Sequence, residues 1–301
     1  MVSNSKLDAA YQFCLKLSHR HYENFPVASF LLPKKMRHPV SVIYAFARTA
    51  DDFADEGSDD MEIRLKKLNN YRLQLKQINE NGSTDSDNPI FLALADIIGR
   101  YKIPCTLFDN LLIAFIQDVN KTRYQNFEQV LDYCRYSANP VGRLLLHLDG
   151  HADDTMLTES DAICTALQLI NFYQDITQDY VEQNRVYLPL DEMTSADVDV
   201  QQLAGKKNTS TLVPLLRRQY QRAKEILASG SELGNRLNGR FGWEIRATIL
   251  GGATILNKLE QQSGSTMLSR PRLNRSELVM LLINSASKKR YLSILSKKLT
   301  N

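Results

Sequence analysis

Two pairs of aspartates stand four residues apart in this chain, Asp51 with Asp55 and Asp175 with Asp179. On a helix that spacing points both side chains in nearly the same direction, about 6 Å apart along the axis. Like charges so placed weaken a helix by about 0.2–0.5 kcal/mol unless a cation lies between them. Either pair taken alone reads more readily as an exposed acidic helix end. The second pair, however, follows an apolar run from Ala162 to Ile170, and Asn171 extends it to three oxygen-bearing side chains at i, i+4 and i+8. A solvated face does not usually emerge from so apolar a helix. The residues therefore predict two acidic stripes that face one another and hold hard divalent cations, for which Mg²⁺ suits oxygen ligands better than zinc does. Four aspartates bring about −4 and two or three Mg²⁺ ions about +4 to +6, so a diphosphate near −3 is the natural further partner. Metals clamped on a diphosphate stabilise the charge that develops as a C–O bond ionises, and apolar and aromatic walls then keep the carbocation from water.

Stripes of this kind need helices to carry them. Among 301 residues only nine prolines and thirteen glycines punctuate the chain, and apolar residues recur at three-to-four spacing far more than in alternation. The predicted fold is all-α, a single domain over 1–301, with about ten helices. Faces such as Val40, Ile43, Tyr44, Ala47 and Asp51, or Leu167, Ile170, Asn171 and Gln174, mix polar with apolar residues, which predicts a lined cavity. Breakers fall at Pro33 and Pro39 before one helix, at 81–87, at Pro104 and Pro140, and along a long polar connection from Pro189 to Gly205. Asn139-Pro140-Val141-Gly142 is expected to kink or unwind the run from Phe127 to Leu148.

Composition narrows the function further. A formal charge of +3 is too balanced for a protein whose main partner is a nucleic acid. Cys14, Cys105, Cys134 and Cys164 lie far apart, which fits reduced thiols and a cytoplasmic setting. No signal segment is visible, and no apolar run approaches the roughly 18 residues that span a bilayer. His147 and His151 lack the glutamate and third ligand of a zinc site. The short basic runs Lys288-Lys289-Arg290 and Lys297-Lys298 read as a charged face that allows contact with anionic lipid.

From about His21 to Arg272 the chain resembles the squalene and phytoene synthase family. The residues that carry the resemblance are His21 and Phe25; Tyr44, Arg48, Asp51 and Asp55; Asp118 with Arg123-Tyr124; Tyr133-Cys134; Val141-Gly142-Arg143; Asn171, Asp175 and Asp179; and Arg185 through Pro189. The resemblance implies a helical bundle of the isoprenoid synthase type around a central pocket, with two or three Mg²⁺ ions. Asp51, Asp55, Asn171, Asp175 and Asp179 are then the metal ligands and catalytic residues. Arg48, Arg185 and Tyr187 would address the diphosphate, His21 and Tyr44 would lie near the leaving group, and Tyr133 and Phe172 would offer π faces to passing cations.

The segments 21–29, 137–143 and 171–175 look most like the hydroxysqualene synthase branch of bacterial hopanoid pathways. That branch implies presqualene diphosphate as substrate, loss of diphosphate, rearrangement and capture by water, without NADPH. One departure supports it. Where many members that condense two prenyl diphosphates have arginine before the first aspartate of the second stripe, this chain has Gln174. A neutral amide does not replace a bidentate arginine contact, which favours a substrate with a single diphosphate. A head-to-head condensing enzyme and a non-catalytic assembly factor are the alternatives, although both stripes are complete. A lipid substrate also implies handover at a membrane surface or from a neighbouring pathway enzyme, and so a cytoplasmic protein peripheral at the inner membrane.

Overall fold

The computed structural model describes residues 4–20, 31–55, 60–84, 86–205, 210–262 and 270–300. His21 and Phe25 lie outside the described residues. The described chain is helical and has no strand; a single parallel bridge, Arg123 with Val186, is its only isolated pairing of that kind. The helices are α1 (Asn4–Arg20), α2 (Lys34–Asp55), α3 (Met61–Asn81), α4 (Pro89–Tyr101), α5 (Cys105–Asn120), α6 (Phe127–Ser137), α7 (Asn139–Asp149), α8 (Asp154–Gln174) and α9 (Ile176–Gln183). There follow α10 (Leu190–Ser195), α11 (Leu212–Gly230), α12 (Leu233–Arg236), α13 (Gly239–Gln261), α14 (Arg275–Ser285) and α15 (Lys288–Thr300).

Fifteen helices among the described residues exceed the expected ten because several breaks do not disturb the periodicity. At Asp175, for example, the backbone leaves helical angles (φ −110°, ψ 12°), yet its N–H still reaches the Asn171 carbonyl at 3.0 Å. The connection expected from Pro189 to Gly205 likewise contains α10 and a 3-10 turn, Val200–Ala204. Pro39 is a further correction. It does not precede a helix but is buried inside α2, near enough to the start that one lost hydrogen bond is offset by packing. The predicted break near Pro140 falls at Ala138, between α6 and α7.

Contacts divide the chain into two compact units, residues 1–121 with 140–157, and residues 122–139 with 158–301. In the first unit α2 packs against α1, α3, α4 and α5. Its centre is an aromatic cluster: Phe46 stacks on Tyr71 at 5.0 Å and meets Phe91 and Phe108 edge-on at 6.0 and 5.3 Å. Such edge contacts contribute about 0.5–1.5 kcal/mol each beyond the area they bury. At about 100° per residue, Phe46, Ala50 and Phe53 project from the side of α2 opposite to Tyr44, Arg48, Asp51 and Asp55. Packing of the aromatic side therefore orients the acidic side. The helix starts are capped where the sequence supplies Asx residues: Asp60 accepts from Ile63 N and Asn88 from Ile90 N, both at 2.9 Å.

In the second unit α13 packs against α11, α12, α14 and α15. Buried Arg246 ties these together by donating to the carbonyls of Ser285 (2.6 Å), Gly234 (2.9 Å) and Leu237 (3.3 Å). Buried Lys224 on α11 pairs with Glu260 on α13 at 2.6 Å. α8 enters this packing through glycine. A Cβ on Gly230 would lie 2.3 Å from the Glu159 carbonyl, and one on Gly252 would lie 2.9 Å from Leu167. Those close approaches fix the helix that ends in the second acidic stripe.

Candidate active site

On α2, Tyr44, Arg48, Asp51 and Asp55 occupy successive turns of one face. The Arg48 guanidinium bridges Asp51 at 3.2 Å and Asp52 at 2.7 Å, so Asp52 joins the first stripe in a way the spacing had not suggested. Asp51 is half-buried, and Asp55, in the last turn, is exposed. Burial raises the Tyr44 hydroxyl above its ordinary value, with Arg48 pulling the other way and Asp51 and Asp52 adding to the rise. Arg48 thus lies among the acids of its own helix, a cation already set into an anionic row.

The second stripe lies at the junction of α8 and α9. Asn171 is exposed one turn before Asp175, and the Asp179 N–H reaches the Asp175 carbonyl at 2.8 Å, so the row continues across the break. Burial and then the Asp175 charge push the Asp179 carboxyl up to about 7, against the pull of Arg185 and Arg270. Burial also raises Asp175, with Arg270 and Arg272 opposing. Two carboxylates that cannot both ionise comfortably are short of positive charge. The oxygen-only donor set of Asp175, Asp179 and Asn171 therefore fits a hard divalent cation. Among the described residues no group of three or more His, Cys, Asp or Glu comes within reach of a single metal ion. A pair of carboxylates per stripe matches Mg²⁺, which keeps waters and substrate oxygens in its remaining positions.

α9 ends at Asn184 in the left-handed conformation (φ 52°), and the chain returns past the same row. The Arg185 N–H donates to the Asp179 carbonyl at 2.9 Å, while its guanidinium donates to Gln183 Oε1 at 2.7 Å. Arg123 donates to the Asn184 carbonyl and side chain, and Val186 N donates to the Thr122 carbonyl at 2.9 Å, which pins the return. It sets Tyr187 flat on Phe172, with ring centroids 3.6 Å apart and planes 5° from parallel. Tyr124 and Tyr133 lie 5.5 and 5.7 Å from Tyr187, completing an aromatic cluster. A recess lined by Phe172, Asp179, Arg185 and Tyr187 places acid, cation and ring faces side by side.

Gln174 has a specific occupation. Its amide donates to the Pro271 carbonyl at 2.6 Å, joining the end of α8 to the segment that precedes α14. Lys258 holds the same segment through the Arg272 carbonyl at 2.8 Å. Arg270, the next residue on that strap, pairs through Nε with Asp175 at 2.7 Å. The cation absent at position 174 thus reaches Asp175 from elsewhere in the chain. Sequence reasoning assigned Arg270 and Arg272 no role. Their only sequence signal is a pair of arginines flanking a proline, which becomes meaningful once the strap is folded back.

A profile of the family "Squalene/phytoene synthase" matches residues 18–277. The chain is 35% identical over 229 residues to hydroxysqualene synthase of Rhodopseudomonas palustris, covering 76% of each chain. It is 31% identical over 265 residues to hydroxysqualene synthase of Sinorhizobium fredii, covering 88% of this chain and 87% of that one. Phytoene synthase 2 of Solanum lycopersicum is 24% identical over 282 residues, covering 92% and 89%. Among solved structures, squalene synthase HpnC from Alicyclobacillus acidocaldarius superposes with a TM-score of 0.79 at 31% identity, covering 87% of this chain and 97% of that one. The acidic stripes, the helical fold and these matches lead to one conclusion: the chain belongs to the squalene/phytoene synthase family, enzymes that act on prenyl diphosphates.

Proposed function

We propose that the enzyme converts presqualene diphosphate and water to hydroxysqualene and diphosphate in a Mg²⁺-dependent reaction of the hopanoid route. The observation that carries the chemistry is the Asp175–Asp179 row, two acids that burial holds above their ordinary range beside Arg270 and Arg185. The choice of substrate is supported by relatives named hydroxysqualene synthase at 31–35% identity and by Gln174.

In this reading Asp175, Asp179 and Asn171 on one stripe, and Asp51 and Asp55 on the other, hold Mg²⁺. When bound, Mg²⁺ neutralises the diphosphate oxygens and so favours heterolysis of the C–O bond. Arg270 and Arg185 then offer hydrogen bonds to the departing anion, and Arg48 and Tyr44 do the same from α2. Phe172, Tyr187, Tyr133 and Tyr124 present π faces to the carbocation that remains. Water adds to the rearranged cation and loses a proton, so one C–O bond is broken and one is made and no reductant is consumed. NADPH is accordingly not required. We also take the two compact units as parts of one catalytic domain, which the continuous family match over 18–277 supports.

The competing reading is head-to-head condensation, favoured by the structural match to squalene synthase HpnC and by the phytoene synthases among the relatives. Purified enzyme is to be incubated with Mg²⁺ and either presqualene diphosphate or farnesyl diphosphate alone, with and without NADPH, and the products analysed by mass spectrometry. Hydroxysqualene from presqualene diphosphate, unchanged by NADPH and abolished by a chelator, is the expected result. Product from farnesyl diphosphate alone, or none from presqualene diphosphate, defeats the proposal.

A further inference from the structure

We infer that α14, together with the cations that open α15, is a docking surface for an anionic lipid bilayer. Four large apolar side chains of this one eleven-residue helix stand in solvent: Leu278 (47% exposed), Val279 (56%), Met280 (55%) and Ile283 (48%). With half-buried Leu282 they fill an arc about 200° wide at 100° per residue, while Leu281 and Ser285 on the other side are buried. Apolar residues exposed singly are ordinary, but a continuous stripe marks a surface that meets something apolar.

Charge decides what that is. From Arg275 to Lys298 the chain has six cations and one acid, a net of +5. The acid, Glu277, is held by Lys258 and by the Asn274 N–H, both at 2.7 Å, which keep its carboxyl below the ordinary range. A second copy would bring this positive field against itself. An anionic bilayer offers the opposite sign together with an apolar interior for the stripe. Eleven residues reach only about 16 Å, so the helix lies in the interface rather than crossing it. No helix among the described residues is long and apolar enough to span a membrane. Such a surface would deliver a substrate with a long apolar tail, which rests on the reaction proposed above, but the docking is tested without any substrate.

The full chain is to be sedimented with vesicles of phosphatidylcholine alone or mixed with phosphatidylglycerol. Two double variants accompany it, Met280→Ser with Ile283→Ser and Lys289→Glu with Arg290→Glu, all at exposed positions, with thermal melting as a check on folding. Binding is expected to the anionic vesicles and to weaken with salt. The charge variant is expected to bind at least about twentyfold more weakly, at about fivefold per cation, and the apolar variant several-fold more weakly. Absence of binding to anionic vesicles, or binding that neither folded variant weakens, overturns the inference. A dimer that the apolar variant dissociates also overturns it, since a second copy would then cover the stripe.

Discussion

Asp179 concentrates the electrostatics of the second stripe. Its folded value of about 7 lies well above the ordinary 3.8, so between about pH 4 and pH 7 the folded protein holds a proton that the unfolded chain has lost. Stability therefore falls as pH rises through that window, and the loss is complete above pH 7. A divalent cation beside the pair favours the ionised form and should restore what is lost. We expect Mg²⁺ to raise the melting temperature more at pH 8 than at pH 5, and Asp179→Asn to raise it at pH 8 without metal while shrinking the Mg²⁺ gain. Equal Mg²⁺ shifts at the two pH values would contradict this account. Asp175 and Asp179 as a spaced pair were legible in the sequence. Their burial was not, because it depends on Arg185 and Tyr187 returning across them and on Arg270 arriving from a distant segment.

At the level of elements, the position of the second stripe depends on how closely α8 and α11 approach. Gly230 ends α11 against the α8 backbone, where an added Cβ would meet the Glu159 carbonyl at 2.3 Å and Ile163 at 3.0 Å. Gly252 of α13 approaches α8 less tightly, since there an added Cβ would meet a side-chain methyl of Leu167 at 2.9 Å rather than backbone. Gly230→Ala is expected to cost about 2–3 kcal/mol, seen as a melting temperature lower by several degrees. An unchanged melting curve would show that the crossing is loose. Helix existence was plain from the three-to-four periodicity of α2, α8 and α13, and the break at Ala138 from Pro140. The break at Asp175 was hidden, because the hydrogen bonds that span it keep the helical register of side chains. Pro39 misled for the opposite reason, since a strong local breaker was overridden by burial within α2.

Across the whole molecule, the four cysteines serve packing rather than cross-linking. Cys14 and Cys134 are buried, Cys105 and Cys164 are half-buried, and all four are free thiols. Burial pushes the Cys14 and Cys134 thiols up to about 12, which keeps them protonated and unreactive at neutral pH. Reductant is therefore expected to leave the melting temperature unchanged, and the chain to migrate alike on reducing and non-reducing gels. A reductant-dependent shift in either would reveal a bridge. The near-balanced charge of +3 conceals an uneven distribution, since α14 and α15 alone have a net of +5. Composition averaged over 301 residues argued against a nucleic-acid partner but could not show that Leu278, Val279, Met280 and Ile283 stand in solvent shortly before the basic run at 288–290.

The amino-acid sequence by itself determined what one helical period can express: that the chain is helical and that aspartates four apart share a face. It also carried enough matched positions to name the family. Tertiary structure alone decided which groups answer those acids. The Gln174 amide finds Pro271 97 residues away, Arg270 finds Asp175, and Tyr187 finds Phe172. Short-range spacing is fixed by backbone geometry and can be read directly. A partner across a long intervening segment is selected by the packing of the helices between, and that selection has no local signature.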